Sequence, residues 1–252
     1  MKIFSSELGH NYGSYTFGYA NYCEREAGDS LAHIYELGYL PYSGSPDVQN
    51  IFYMARSARV VLPQFALTSE NRRISKKFDG VFDKKRIPLN EFDIEDEAFL
   101  FFCVEYFKNK HGIGAAPRER IHYWLTCGVV TTIVEYRKAG VPVAYVFEAE
   151  DASMTHYWFS FYDLSLVQQS LGMWLMLDCI TDAAARGVEH YYLGTVYGAK
   201  ALYKTNFEPL LWWDGSAWQS DITTLKQNAR TDDGRITPLM DAWKRDLKKF
   251  SE

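Results

Sequence analysis

The apolar positions change their period several times along the chain, and each change predicts an element. Between Asn90 and Lys110 the aromatic residues Phe99, Phe102, Tyr106 and Phe107 recur at helical spacing. Asn90 stands as N-cap, acidic residues crowd the first turns, and Lys108 and Lys110 close the end. A shorter helix is predicted from Pro117 to Leu125, with proline at its start. The pattern then turns to β-branched residues. Thr126–Tyr136, Val141–Glu148 and Thr155–Tyr162 read as three antiparallel strands, joined at Lys138-Ala139-Gly140 and Glu150-Asp151-Ala152-Ser153. A helix follows from Ser170 to Arg186, capped by Gly187, and then a strand at His190–Gly194. Trp212–Trp218 forms a hairpin about Asp214-Gly215, and Pro238–Phe250 reads as a terminal amphipathic helix.

The first fifty residues, rich in Gly, Tyr and Ser, carry short strands and a helical piece over Ser30–Gly38, where Ile34 and Leu37 give an apolar stripe. Ser43-Gly44-Ser45-Pro46 is a turn, and Ile51–Ala66 is extended, with Val60-Val61-Leu62 as a buried strand. These periods divide the chain into an N-terminal region over 1–88, an α/β unit over 89–222 and a helical tail over 223–252.

Composition narrows the function classes. In 252 residues, 47% apolar, there is material for a sizeable core, and a net charge of -5 speaks against non-specific coating of nucleic acid. One stretch runs against that charge. From Ser69 to Arg86 seven basic residues face three acidic ones, among them Arg72, Arg73, Lys76 and Lys77. This tract is either a solvated helix face or a contact for phosphates. The four cysteines are scattered with no C-x-x-C pair, and the six histidines show no ligand spacing, so neither a metal site nor a disulfide scaffold is expected. With no apolar leader and no long apolar run, a soluble cytoplasmic protein is expected, without a membrane partner.

The densest chemistry lies between Phe161 and Pro209. Strand, turn, helix and returning strand make a βαβ unit whose helix start leaves N–H groups free for an anion or a developing oxyanion. An antiparallel meander followed by a helix and a strand is the core order of the acetyltransferase-like (GNAT-type) fold. The predicted class is therefore α/β: a mixed, mainly antiparallel sheet flanked by helices, with a smaller N-terminal region. In that superfamily the helix begins with a Gln/Arg-x-x-Gly-x-Gly/Ala loop for the coenzyme A pyrophosphate. Here Gln169-Ser170-Leu171-Gly172-Met173-Trp174 matches until its last position, where Trp174 is expected to crowd a pyrophosphate.

A closer resemblance covers roughly Cys23 to Trp218. Phe161-Tyr162-Asp163, Ser170-Leu171-Gly172, Tyr192-Leu193-Gly194, Tyr203-Lys204-x-x-Phe207-x-Pro209 and Asp214-Gly215 with Trp218 stand in sequence order. Together with Phe65-x-x-Thr68-Ser69-Glu70-Asn71-Arg72-Arg73, they resemble the arginyl-tRNA–protein transferases and their bacterial leucyl-transferring relatives. The resemblance implies transfer of an amino acid from aminoacyl-tRNA to an amine, with the charged tRNA as co-substrate and no further cofactor. The cysteine cluster of that family has no counterpart in Phe52–Arg59, and Cys23 alone matches its first cysteine. A family Lys-Met is replaced by Lys200-Ala201-Leu202, so the acceptor is left open between a protein N-terminus, a peptide and a small metabolite.

An aminoacyl ester is already activated, so the enzyme must align an amine, keep it neutral and stabilise an oxyanion. Asp163 is placed to take or orient the amine proton, or to cap a turn. Ser170, with the amides of Leu171 and Gly172, is an oxyanion site or an N-cap. Tyr162 is a candidate hydrogen-bond donor, and Gln169, Leu171, Gly172, Tyr197 and Tyr203 are candidate substrate contacts. Arg72, Arg73, Lys76, Lys77, Lys200 and Lys204 are candidates for the tRNA acceptor end. An acyl-coenzyme A N-acyltransferase and a non-catalytic tRNA- or protein-binding relative are the alternatives.

Overall fold

A computed structural model describes residues 1–11, 16–44, 46–112 and 116–232. The predicted helix at Pro238–Phe250 and parts of the predicted turn at Ser43–Pro46 lie outside them. Two sheets organise the molecule. The smaller is formed by β1 (Lys2–Asn11), β2 (Thr16–Glu24), β3 (Tyr39–Pro41) and β4 (Ile51–Met54), antiparallel in the order β1-β2-β4-β3. Helix α1 (Leu31–Glu36), capped by the Ser30 hydroxyl on the His33 amide, joins β2 to β3. It buries Leu31, Ile34 and Tyr35 against Phe52, Met154 and Tyr192, which closes a core between the small sheet and the large one.

The large sheet has eight strands: β5 (Ser57–Val61), β6 (Asp83–Pro88), β7 (Thr132–Lys138), β8 (Val141–Asp151), β9 (Met154–Tyr162), β10 (His190–Thr195), β11 (Leu210–Trp213) and β12 (Trp218–Gln219). Their order is β12-β11-β5-β10-β9-β8-β7-β6. The β7-β8-β9 meander is antiparallel, and its first turn places Ala139 and Gly140 both at positive φ, the geometry a two-residue hairpin requires. Helix α5 (Leu171–Ala185) then crosses over, and β10 returns parallel to β9. This is the expected acetyltransferase-like order. Strands β5 and β6, from the first 88 residues, are members of this same sheet.

Helices α2 (Ser69–Ser75), α3 (Glu97–His111) and α4 (Arg118–Thr126) complete the cover. Helix α3 begins six residues later than Asn90 predicts. The Asp96 carboxylate accepts from the amides of Ala98 and Phe99, and it outcompetes Asn90, which is left in a single 3-10 turn behind Pro88. Phe99, Tyr106, Phe107 and Trp124 from α3 and α4 pack on Tyr145, Phe147, Phe159 and Phe161. Each such ring contributes about 1.5–3 kcal/mol by burial. Trp174 goes into the core, against Phe78, Phe82 and Tyr136.

The second half of the basic tract is structural. Lys84 pairs with Asp178 and Asp182 of α5, and Arg86 bridges the fully buried Glu148, Glu150 and Asp182. Burial pushes the Glu148 carboxyl up, and Arg86 and the Tyr191 hydroxyl pull against it. Among the described residues no helix is long and apolar enough to cross a membrane.

Candidate functional site

The site arises where two strands part. The parallel pairing of β9 and β10 runs through Met154–His190, Thr155–Tyr191 and His156–Tyr192 and then stops, although β9 continues to Tyr162. A bulge sits on each strand just beyond that point. In β9, Phe159 faces Phe147 and Tyr157 faces Glu148, so Trp158 is the extra residue. In β10, Tyr192 faces Arg59 and Gly194 faces Ala58, so Leu193 is the extra residue and Gly194 takes φ +78°. A bulge bends and twists its strand. Two bulges at one level drive the strands apart, and the glycine of Tyr192-Leu193-Gly194 is needed for the left-handed turn that does it.

Helix α5 starts over the opening. The first i→i−4 bond runs from the Trp174 amide to the Ser170 carbonyl, so the amides of Leu171, Gly172 and Met173 precede the hydrogen-bonded helix. Ser170 occupies the cap position but does not cap: it takes φ +70°, ψ 32°, and its hydroxyl bonds no helix amide. A left-handed serine costs energy of the order of 1 kcal/mol or more, which the surrounding fold must supply. Gly172 is set by a close approach, because a Cβ there would stand 2.7 Å from Tyr162 Oη. The motif glycine thus lets the Tyr162 ring lie on the helix start.

The resulting cleft holds about 280 Å³. Its walls are Ser170, Gly172, Met173 and Met176 of the helix side, Tyr157, Ser160 and Tyr162 of β9, Lys110 of α3, and Tyr203. Lys110 Nζ donates to Tyr162 Oη at 2.8 Å and to Tyr106 Oη at 2.5 Å, and lies 4.7 Å from the Tyr162 ring centre. The Tyr157 hydroxyl is buried with no hydrogen-bond partner of ordinary geometry, an unmet demand in the cleft wall. No carboxylate is among these wall residues.

Behind the cleft the fork is closed by the segment Ala199–Asn206, a 3-10 turn that crosses the strand ends. It drives Lys204 into the gap. Lys204 Nζ donates to the Thr195 carbonyl at 2.7 Å and would lie 3.6 Å from a Cβ on Gly194. Burial lowers its pKa to about 8, far below the ordinary lysine value. His156, the last paired residue of β9, has Nδ1 2.9 Å from the Tyr35 hydroxyl, and burial followed by the Lys204 charge lowers it to about 3.

Residues 115–205, which contain the meander, α5, the fork and Lys204, match the family model described as an acetyltransferase (GNAT) domain. The aspartate/glutamate leucyltransferase of Methylorubrum populi is 31% identical over 173 residues, 61% of this chain and 66% of that one. That of Granulibacter bethesdensis is 26% identical over 189 residues, 68% of this chain and 67% of that one. The chain is homologous to the aspartate/glutamate leucyltransferases. It spans 61–68% of the length of the curated relatives it matches. A crystal structure of FemX also aligns, at 8% identity and a TM-score of 0.42, covering 66% of this chain and 59% of that one. At that score it adds no argument.

In this leucyltransferase homologue the residues singled out in the sequence fall into three groups. Ser170, Gly172, Tyr162 and Tyr203 line the cleft, and Leu171, fully buried, anchors the first turn of α5 in the core. Gln169 closes the 3-10 turn before the helix. Asp163 accepts from the Ser165 amide at 2.9 Å, which caps that same turn, and it is not a wall of the cleft. Tyr197 lines a different cleft and donates no bond into the fork; its hydroxyl accepts from the Arg56 amide at 2.8 Å. Lys204, expected among the cations facing tRNA, has its ammonium buried in the fork, whereas Lys200 is exposed. Trp174 is not a cleft wall, so its bulk does not obstruct the helix start as the sequence suggested.

Arg72, Arg73, Lys76 and Lys77 are all exposed, while Asn71, Ile74 and Phe78 are buried. Spacings of four put the cations on one face of α2 and its following turn. Arg73 is paired with Glu70, at 2.6 Å. The Asn71 amide reaches the Asn206 carbonyl, so this basic face is fastened beside the segment that closes the fork. Lys110, Tyr157, Ser160, Met173 and Met176 were not anticipated. Met173 and Met176 stand at helical spacing on the side of α5 away from Trp174, a visible signal. Lys110 reads in the sequence only as a helix-end cation.

Cys23 is buried and its thiol is raised to about 11 by burial, which suits a core residue rather than a ligand thiolate. Among the described residues no group of three or more His, Cys, Asp or Glu is gathered in metal-binding geometry.

Proposed function

We propose that this chain is an aminoacyltransferase that takes a neutral, apolar amino acid from its tRNA and joins it to the amine of a protein or peptide N-terminus. The observation that carries the donor class is the cleft itself. Free α5 amides stand at its mouth, Met173 and Met176 line it, and among the described wall residues there is no carboxylate to hold a guanidinium. Leucyl-tRNA fits this chemistry, and leucine is the amino acid in the relatives' names; arginyl-tRNA does not. A small-metabolite amine is the second acceptor class, because Phe52–Arg59 lacks the cysteines of the protein-modifying relatives that the sequence resembles.

The geometry supports the following course for the reaction. The acceptor nitrogen attacks the ester carbonyl, its C–N bond forms, and the bond to the tRNA ribose oxygen breaks. The oxyanion is received by the amides of Leu171 and Gly172 and the Ser170 hydroxyl. Lys204, neutral in part near pH 8, takes the acceptor's proton and passes it to the ribose oxygen, which leaves as a hydroxyl. Asp163 holds the turn that presents Ser170, a positioning role. In this reading Arg72, Arg73, Lys76, Lys77 and Lys200 face the phosphates of the tRNA acceptor end, and the compartment it implies is the cytoplasm, where charged tRNA is found.

Purified protein is given tRNA charged with labelled leucine, phenylalanine, methionine or arginine and a set of acceptor peptides. Ribonuclease-sensitive transfer of an apolar amino acid is expected. Transfer from arginyl-tRNA alone would overturn the donor assignment. Thermal protection by acetyl-coenzyme A without any transfer would favour the acyl-coenzyme A alternative. Replacing Arg72, Lys76 and Lys77 by alanine is expected to weaken tRNA binding and to lower its salt dependence by about two to three phosphate contacts.

A further inference from the structure

The segment that closes the fork also has an outer side. Residues 199–206 form a 3-10 turn, in which side chains three apart stand one above the other. Exposure along it follows that period. Lys200, Tyr203 and Asn206 are exposed, whereas Ala201, Leu202 and Thr205 are not, and Lys204 turns its ammonium into the fork. One step further back at the same spacing stands Tyr197, also exposed. Tyr197 and Tyr203, 45% and 42% exposed, are two of the four exposed aromatic side chains among the described residues, and this segment alone brings two together.

The two rings are held in different ways. The Tyr197 hydroxyl accepts from the Arg56 amide at 2.8 Å, and the Arg56 guanidinium lies 4.7 Å from the ring centre, so this ring is fixed. It borders a second cleft of about 450 Å³, which gives a planar group room to reach it. Asp214, another wall of that cleft, keeps its carboxylate in its own hairpin, where it accepts from Ser216, Ala217 and Gln219. Tyr203 is a wall of the donor cleft. Beyond Tyr203 the ridge ends on Asn206, whose carbonyl is tied to Asn71 of α2, and the exposed face of α2 and its following turn carries Arg72 and Lys76. Two rings with a cation between them match an unpaired nucleic-acid strand, whose bases stack on the rings while a phosphate meets the cation. The charge of the adjoining α2 face favours such a polyanion over a polypeptide.

We propose that Tyr197, Lys200 and Tyr203 form a stacking ridge for the unpaired 3′-terminal nucleotides of the donor RNA. Each ring takes one unpaired base, Lys200 takes a phosphate, and the basic face of α2 takes phosphates of the paired stem. Tyr203, shared between the ridge and the donor cleft, brings the strand end to the place where its ester reacts. The proposal rests on the aminoacyl-transfer reading for the identity of the RNA, but the affinity of the ridge for an unpaired RNA end does not.

The test uses the full chain and two fluorescent, uncharged RNA hairpins with the same stem, one blunt and one with four unpaired 3′ nucleotides. Affinity is read by anisotropy. The overhanging hairpin is expected to bind about tenfold or more tightly than the blunt one. Tyr203→Ala and Tyr197→Ala are each expected to weaken the overhanging hairpin by about five- to tenfold and to leave the blunt one as it was. Tyr203→Phe, which keeps the ring, should retain the preference. Lys200→Ala should lower the salt dependence by about one phosphate contact. Equal binding of the two hairpins overturns the proposal. So do alanine variants that keep the preference, and so does a loss that falls on both hairpins alike, the mark of a structural role. Alanine variants that bind both hairpins normally but lose acceptor peptides would assign the ridge to a polypeptide instead. Leucyl-tRNA with labelled leucine is then supplied below saturation. Preference for the overhang without any transfer keeps the ridge and removes the aminoacyl-transfer reading. Transfer that both alanine variants leave unchanged removes the ridge and keeps that reading.

Discussion

Gly172→Ala is the sharpest probe of the donor cleft. The added Cβ would stand 2.7 Å from Tyr162 Oη and 2.9 Å from Cζ. Non-bonded atoms rest at roughly 3.5–4.0 Å, so the ring must retreat by about 1 Å. It has little freedom to do so. Its hydroxyl is held by Lys110 at 2.8 Å, and its ring packs on Tyr106 with centroids 5.0 Å apart. Overpacking of this kind costs about 1–3 kcal/mol. Alanine's better helix preference returns at most about 1 kcal/mol. With the full return the net loss is up to about 2 kcal/mol, which lowers Tm by up to roughly 8 °C in a chain of this size. Function should suffer more, because a displacement of about 1 Å at a reacting centre costs on the order of 100-fold in rate. The assay is ribonuclease-sensitive transfer of labelled leucine, with Tm measured on the same preparation. Gly172→Ala combined with Tyr162→Ala should be no worse than Tyr162→Ala alone, since the collision has gone. A Gly172→Ala protein with normal transfer and unchanged Tm would refute the contact.

Two further expectations follow from buried charge. Lys204→Met should lower transfer by about 100-fold. The wild-type rate should rise as pH increases through about 8, where Lys204 loses its proton, and that inflection should vanish in the variant. Lys204→Arg should not restore it, because a guanidinium does not become neutral. The stability sign is separate. A folded-state pKa below the unfolded value means that the unfolded chain holds more protons above pH 8, so this group's contribution grows with pH there and is absent from Lys204→Met in urea titrations. Glu148→Gln should cost about 3 kcal/mol of unfolding free energy, the low end for a broken buried pair, because Arg86 keeps Glu150 and Asp182. Glu150 and Asp182 are lowered despite their burial by Arg86, Lys84 and other neighbours, so their stabilisation is present at neutral pH and lost as pH falls through their folded values. A Glu148→Gln protein as stable as wild type would contradict this network.

What could be read from the sequence was whatever local periodicity encodes. The β7-β8-β9 meander, α5 and β10 were legible because β-branched runs, a two-residue turn and a capped apolar helix each carry their own signal. The start of α3 was not, because Asn90 and Asp96 are both competent caps and only the fold decides which has the helix below it. Strand β6 was hidden inside a charge run: Lys84 and Arg86 look like a surface patch until Asp182 and Glu148 are brought to them. The same blindness affected Lys204. A lysine in a polar motif reads as a surface cation, and its burial depends on two bulges that pairing patterns create and that no residue type announces.

Those bulges also explain why the family motifs are spaced as they are. Tyr192-Leu193-Gly194 bends β10 away from β9, Gly172 admits Tyr162 to the helix start, and Asp163 caps the turn that delivers Ser170. None of these three needs to touch a substrate to be indispensable. Each fixes an angle or a close approach that brings a few polar groups to one cleft, the α5 amides and the Ser170 and Tyr157 hydroxyls, with Lys204 held behind it on the Thr195 carbonyl. In the proposed reading the chemistry rests on fewer residues than the motifs contain, and it sits where the strand pairing fails. A substitution that restored pairing beyond His156 and Tyr192 would close the cleft even if every polar group remained. By this logic Gly194→Val, which disfavours the left-handed turn and brings a side chain toward His156 and Lys204, should abolish transfer while leaving the meander intact.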